Sequence, residues 1–128
     1  MKLLESGEMY LETIFILSSQ KSAVRAIDIG EYMGFSKPSV SRAMGLLKDG
    51  GFIEVNRDGF IYLTDAGKEI AQKIYGRHTL LTEFLKSIGV DDETASADAC
   101  KIEHDVSDIT MDAIRKHYEE IQKKSESK

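Results

Sequence analysis

The 128-residue chain has one cysteine, Cys100, and one proline, Pro38. A single cysteine excludes an internal disulfide and leaves that thiol as a metal ligand, a nucleophile or core filling. No run of 18 apolar residues occurs and the first residues do not form a signal sequence, so the protein is expected to stay off the membrane and in the cytoplasm. Internal repeats are missing, and low complexity is confined to a Lys/Ser/Glu tail with nothing to bury. Positive charge is in deficit, with 17 basic against 22 acidic residues and a formal net charge of -5, which by itself argues mildly against a nucleic-acid partner. The distribution matters more. Met1 to Arg77 carries 10 basic and 10 acidic residues, whereas His78 to Lys128 carries 7 and 12. The excess acid thus sits in the second half, suited to binding cations or to a solvated helical surface.

What is present is enough apolar residue, 41%, for one compact core or two small ones sharing a long helix. Leu3, Leu4, Leu11, Ile14, Phe15 and Leu17 recur near a 3.6-residue period and predict a helix from about Leu3 to Ser19. A short helix over Ala26 to Met33 stops at Gly34-Phe35, and a second restarts at Ser36, a good N-cap, with Pro38 tolerated in its first turn. Two short helices across a tight glycine turn form a helix-turn-helix pattern. In the second, Val40, Met44 and Leu47 are expected to face inward. Ser36, Lys37, Ser39, Ser41, Arg42 and Lys48 then offer an outer surface with 3 basic and no acidic residues, suited to a DNA major groove. The bland alternative is a solvated helix. Phe52 to Val55 and Phe60 to Leu63 predict two strands joined by Asn56-Arg57-Asp58-Gly59, a wing with Arg57 at its tip. A long helix follows from Thr64-Asp65 to about Ile88, another from Asp91 through His104 and on towards Ile109, and a last one from about Met111 to Ile121. The fold expected is mainly α: a winged helix-turn-helix over residues 1–70 and an all-helical domain over 71–128.

Cys100, Glu103 and His104 are spaced i, i+3 and i+4, so a helix would set a thiolate, a carboxylate and an imidazole on one face. Soft and charged donors stand there where leucines would otherwise pack, and buried charge of this kind needs a cation. Met9, Glu12 and His78 are further donors; Met9 alone is more often packing than ligand. Paired cysteines and finger spacings are missing, so a structural zinc site is excluded. An enzyme would need an acid-base pair or nucleophile beyond these same residues, and none stands out. A pure interaction protein would have no reason to group Lys37, Ser39 and Arg42 without intervening acid.

The ordered set Met9-Tyr10-Leu11-Glu12, Ser39-Val40-Ser41, Leu63-Thr64-Asp65-Ala66-Gly67, Arg77-His78 and Cys100-Lys101-Ile102-Glu103-His104 resembles the diphtheria-toxin-repressor family of metal-dependent transcription regulators, in the short two-domain form of the manganese-transport regulators. The resemblance implies a winged-helix domain, a helical dimerisation domain, metal held by helices of both, and homodimers that bind palindromic operators when loaded with Fe(II) or Mn(II) and usually repress metal-uptake genes. Met9, Cys100, Glu103 and His104 match the activating site of iron-responsive members. Glu12 and His78 match ligands of the manganese branch and either complete that site or hold a second ion. Ser96 and Thr82 replace two ancillary ligands, and the SH3-like domain of longer members is missing. Two sulfur donors favour Fe(II), with Mn(II) the alternative and Co(II), Ni(II) or Zn(II) able to bind in vitro. No small organic ligand is expected.

Overall fold

A computed structural model describes residues 5–126. Leu3 and Leu4 of the first predicted helix, and the last two residues of the tail, lie outside them. The described residues form six helices and two strands: α1 (Glu5–Gln20), α2 (Ala26–Met33), α3 (Lys37–Asp49), β1 (Ile53–Val55), β2 (Ile61–Leu63), α4 (Asp65–Ser87), α5 (Asp92–Ile102) and α6 (Asp108–Glu126). They divide into one compact unit ending at Ile74 and another beginning at Tyr75, and α4 contributes to both.

The first unit is a winged helix-turn-helix. Leu11, Ile14, Ile29, Val40, Met44, Leu47, Ile53, Ile61 and Ala71 form one buried cluster, drawing one face from each element. Val40, Met44 and Leu47 are buried as their spacing predicts. Gly34 closes α2 at φ 73°, where a side chain would be strained, and its N–H bonds the Gly30 carbonyl. The Ser36 hydroxyl accepts from the Ser39 N–H and starts α3, with Pro38 in the first turn. β1 and β2 pair antiparallel, with Ile53 opposite Leu63 and Val55 opposite Ile61. Asn56 Oδ1 accepts from the N–H groups of Asp58 and Phe60, which fixes the connecting turn.

Thr64 welds the wing to α4. Its hydroxyl donates to the Gly51 carbonyl at 2.7 Å and accepts from the Gly67 N–H at 3.2 Å, and its N–H bonds the Phe52 carbonyl. This brings α4 so near the strand entrance that a Cβ on Gly67 would lie 2.0 Å from the Phe52 carbonyl oxygen. Backbone cannot yield as a side-chain tip can. Gly67→Ala is therefore expected to destabilise the protein by about 2–3 kcal/mol, read as a lower urea midpoint; an unchanged midpoint would show that α4 can move aside.

Asp28 provides an acid-sensitive clasp. One oxygen accepts from Lys21 Nζ at 2.7 Å and the other from the Arg25 N–H at 2.9 Å. The Lys21 bond, then the backbone bond, lower its pKa below the ordinary 3.8. The folded protein thus holds Asp28 ionised to lower pH than the unfolded chain does. Its contribution is complete above the unfolded value and lost as pH falls through the folded one. Melting temperatures of Asp28→Asn should accordingly fall less than wild type between about pH 5 and pH 2; parallel curves would remove Asp28 as a cause of acid sensitivity.

In the second unit Leu81, Ala99 and Met111 form the buried centre, flanked by Leu80, Ile102, Val106 and Ile114. Asp91 caps α5 by accepting from the Thr94 N–H, which lowers the Asp91 pKa. Two sequence expectations are corrected here. α5 ends at Ile102 and does not run through His104 towards Ile109, because Glu103 closes it and a turn leads to a fresh cap at Ser107, whose hydroxyl accepts from the Thr110 N–H. α6 does not stop at Ile121. It continues to Glu126, because Gln122, Lys123 and Lys124 are good helix formers and the lysines suit a helix C-terminus. None of the described helices is long and apolar enough to cross a membrane.

Candidate functional site

The second unit holds a buried carboxylate. Glu103 is completely inaccessible. Its Oε2 lies 2.9 Å from His78 Nδ1, and its Oε1 lies 3.4 Å from His104 Nε2 without the alignment of a hydrogen bond. With Glu103 ionised, the 2.9 Å contact places a proton on His78 Nδ1. His78 Nε2 is left 3.5 Å from the Ser96 hydroxyl. Cys100 is exposed, yet its sulfur, one nitrogen of His78 and one oxygen of Glu103 all lie within 4.8 Å of one another. Donors bound at about 2.0–2.3 Å lie up to about 4.6 Å apart across an ion, so the three fit a divalent metal with little adjustment. The chemistry agrees: a fully buried carboxylate with an oxygen that lacks a hydrogen bond is costly until a cation compensates it.

The placement of these donors depends on a residue that residue-type reasoning overlooked. Arg77 is buried; its Nη1 donates to the Glu103 carbonyl at 2.9 Å and to the Val106 carbonyl at 2.8 Å, and its Nη2 pairs with Asp108. A continuing α5 would need those carbonyls for its own ladder, so the arginine ends the helix and fixes the turn carrying Glu103 and His104. A signal existed. Ala71, Ile74, Arg77 and Leu81 occupy one 3.6-residue stripe, and a charge on a buried stripe must have a dedicated partner.

The other sequence-predicted donors belong to the first unit. Met9, 37% exposed, and Glu12, half-buried, lie one turn apart on α1. Of the residues proposed to face DNA, Ser36 and Ser39 are joined hydroxyl to hydroxyl at 2.9 Å at the start of α3, and Lys37, Ser41, Arg42 and Lys48 are exposed along it. Arg57 is exposed in the wing turn. Thr82 has a buried hydroxyl with no hydrogen bond among the described residues.

Comparison with known proteins bears on both units. Residues 2–59 match the family model for the iron dependent repressor N-terminal DNA binding domain, and residues 64–128 match that for the iron dependent repressor metal binding and dimerisation domain. The transcriptional regulator MntR of Escherichia coli O6:H1 is 35% identical over 106 residues, 83% of this chain and 68% of its own. The HTH-type transcriptional regulator MntR of Bacillus subtilis strain 168 is 32% identical over 134 residues, 94% of each. The solved structure of the manganese regulator SloR superposes with a TM-score of 0.79 at 26% identity, over 88% of this chain; the chain spans about half of SloR, 53%. These relatives are transcription regulators and not enzymes. With the two domain models together matching nearly the whole chain, it belongs to the iron-dependent repressor family, the diphtheria-toxin-repressor type of metal-responsive, DNA-binding transcription regulator.

Proposed function

We propose that the protein is an Fe(II)-activated homodimeric repressor that acts in the cytoplasm on palindromic operators of metal-uptake or homeostasis genes. The observation that carries the metal reading is the buried Glu103 carboxylate beside His78, His104 and the Cys100 thiol. Cys100, Glu103 and His104 form the principal donor set, and His78 joins it because its ring already touches Glu103. Met9 and Glu12 enter on residue type and family match. A thiolate and a thioether are softer than Mn(II) prefers, which favours Fe(II).

DNA recognition falls to residues 1–70 and dimerisation with metal binding to residues 71–128. The exposed face of α3 enters the major groove with Lys37, Ser39, Ser41 and Arg42, Ser36 sets the start of that helix, and Lys48 and Arg57 hold phosphates. One such helix reads few bases, and a two-fold pair doubles the readout. Ile109, 83% exposed, is the apolar residue offered to the second copy, with Ile114, half-buried against its own core, adding only its outer edge.

A second reading, Mn(II) activation, draws on the relative described as a manganese regulator. Anaerobic Co(II) substitution separates the two. Under the Fe(II) reading the Co(II) protein shows a thiolate-to-metal charge-transfer band that Cys100→Ala removes, and Fe(II) activates operator binding at lower free concentration than Mn(II). A missing band together with preferred activation by Mn(II) would overturn the iron assignment.

A further inference from the structure

The first unit has a fixed cation apart from the recognition helix. Arg25 precedes α2, and its guanidinium lies 4.7 Å from the centroid of the Phe60 ring, in the wing. Two backbone bonds hold the same segment. The Val24 carbonyl accepts from the Ile61 N–H at 2.8 Å, and the Arg25 N–H donates to Asp28 Oδ2 at 2.9 Å. Asp28 is the nearby acid, but its other oxygen is bonded to Lys21 Nζ at 2.7 Å. Lys21 and Asp28 therefore offset one another, and the exposed Arg25 keeps its positive charge. Stacking restricts a long side chain that would otherwise be costly to order, and a guanidinium keeps its in-plane donors available while one face rests on a ring. Arg57 lies in the turn of the same wing. Arg25 against Phe60 and Arg57 in the turn thus give the wing and the segment packed on it two exposed cations.

We infer that Arg25, held on Phe60, is a phosphate-binding residue that extends the DNA interface from α3 to the turn end of the wing. The inference rests on the DNA-binding reading above. It makes a contact to backbone and not to bases, so its loss weakens operator and non-specific duplex alike.

The test is the salt dependence of duplex binding by the metal-loaded full chain, for wild type, Arg25→Gln and Arg25→Lys. Each phosphate contact contributes about 0.9 to the slope of log affinity against log salt, so Arg25→Gln should lower the slope of a dimer by about 1.8. Arg25→Lys keeps the charge and should retain the wild-type slope. An unchanged slope in Arg25→Gln, or an equal loss in both variants, would overturn the inference while wild-type binding left the DNA-binding reading intact. Wild-type protein that bound no duplex would remove both.

Discussion

Glu103→Gln should abolish metal-activated operator binding while leaving the fold intact. Glutamine matches the volume, keeps one acceptor oxygen for His78 and puts an NH2 donor in place of the other, so the cavity around the side chain is preserved while the charge is removed. Changes to the supporting partners of metal ligands cost 10- to 100-fold in affinity, so removing the charge of a central donor should cost at least about 100-fold. The stability readout has opposite signs in the two states. Without metal, wild type holds a buried carboxylate with one oxygen outside any hydrogen bond, and the amide should be no less stable. With metal at about 100 times its Kd, wild type should gain about 2.7 kcal/mol that the variant does not. Equal metal-induced shifts in melting temperature would show that Glu103 is not a ligand.

Arg77→Met should destabilise the protein by about 3 kcal/mol and weaken metal binding as well. Methionine fills the buried stem volume but leaves the Glu103 and Val106 carbonyls without their donor, and each buried acceptor so stranded costs about 1–3 kcal/mol. The turn carrying Glu103 and His104 would then lose the group that fixes it. Arg77→Lys should recover only part of the loss, since one ammonium cannot reproduce a planar fork spanning three acceptors. Urea unfolding of the apoprotein and metal titration of both variants provide the check. A methionine variant as stable as wild type would show that the turn holds itself.

These two residues mark what could and could not be read along the chain. Ser36, Pro38 and Gly34 carry local signals, a hydroxyl cap, a tolerated first-turn proline and a left-handed stop, so α2, α3 and the turn between them were legible within a residue. The wing was legible for the same reason, through Asn56 and Gly59 between two apolar runs, with each strand one residue shorter than predicted. The end of α5 was not. It is set by Arg77, 26 residues before Glu103, and no local residue between Cys100 and Val106 announces a stop. The spacing of Cys100, Glu103 and His104 was legible as a donor set, but its helical geometry was only partly right, because Glu103 caps the helix and His104 lies in the turn beyond it. The contact of His78 with Glu103 likewise spans 25 residues and needs the fold.

The most direct test is the affinity of an operator duplex for the full-length protein, measured anaerobically by fluorescence anisotropy at fixed salt, first loaded with Fe(II) and then after chelation. A metal-responsive switch predicts a fall in affinity of at least about tenfold on chelation, a coupling of about 1.4 kcal/mol, restored by adding metal back and missing in Glu103→Gln. Operator affinity that is the same with and without metal, in wild type and variant alike, would contradict it.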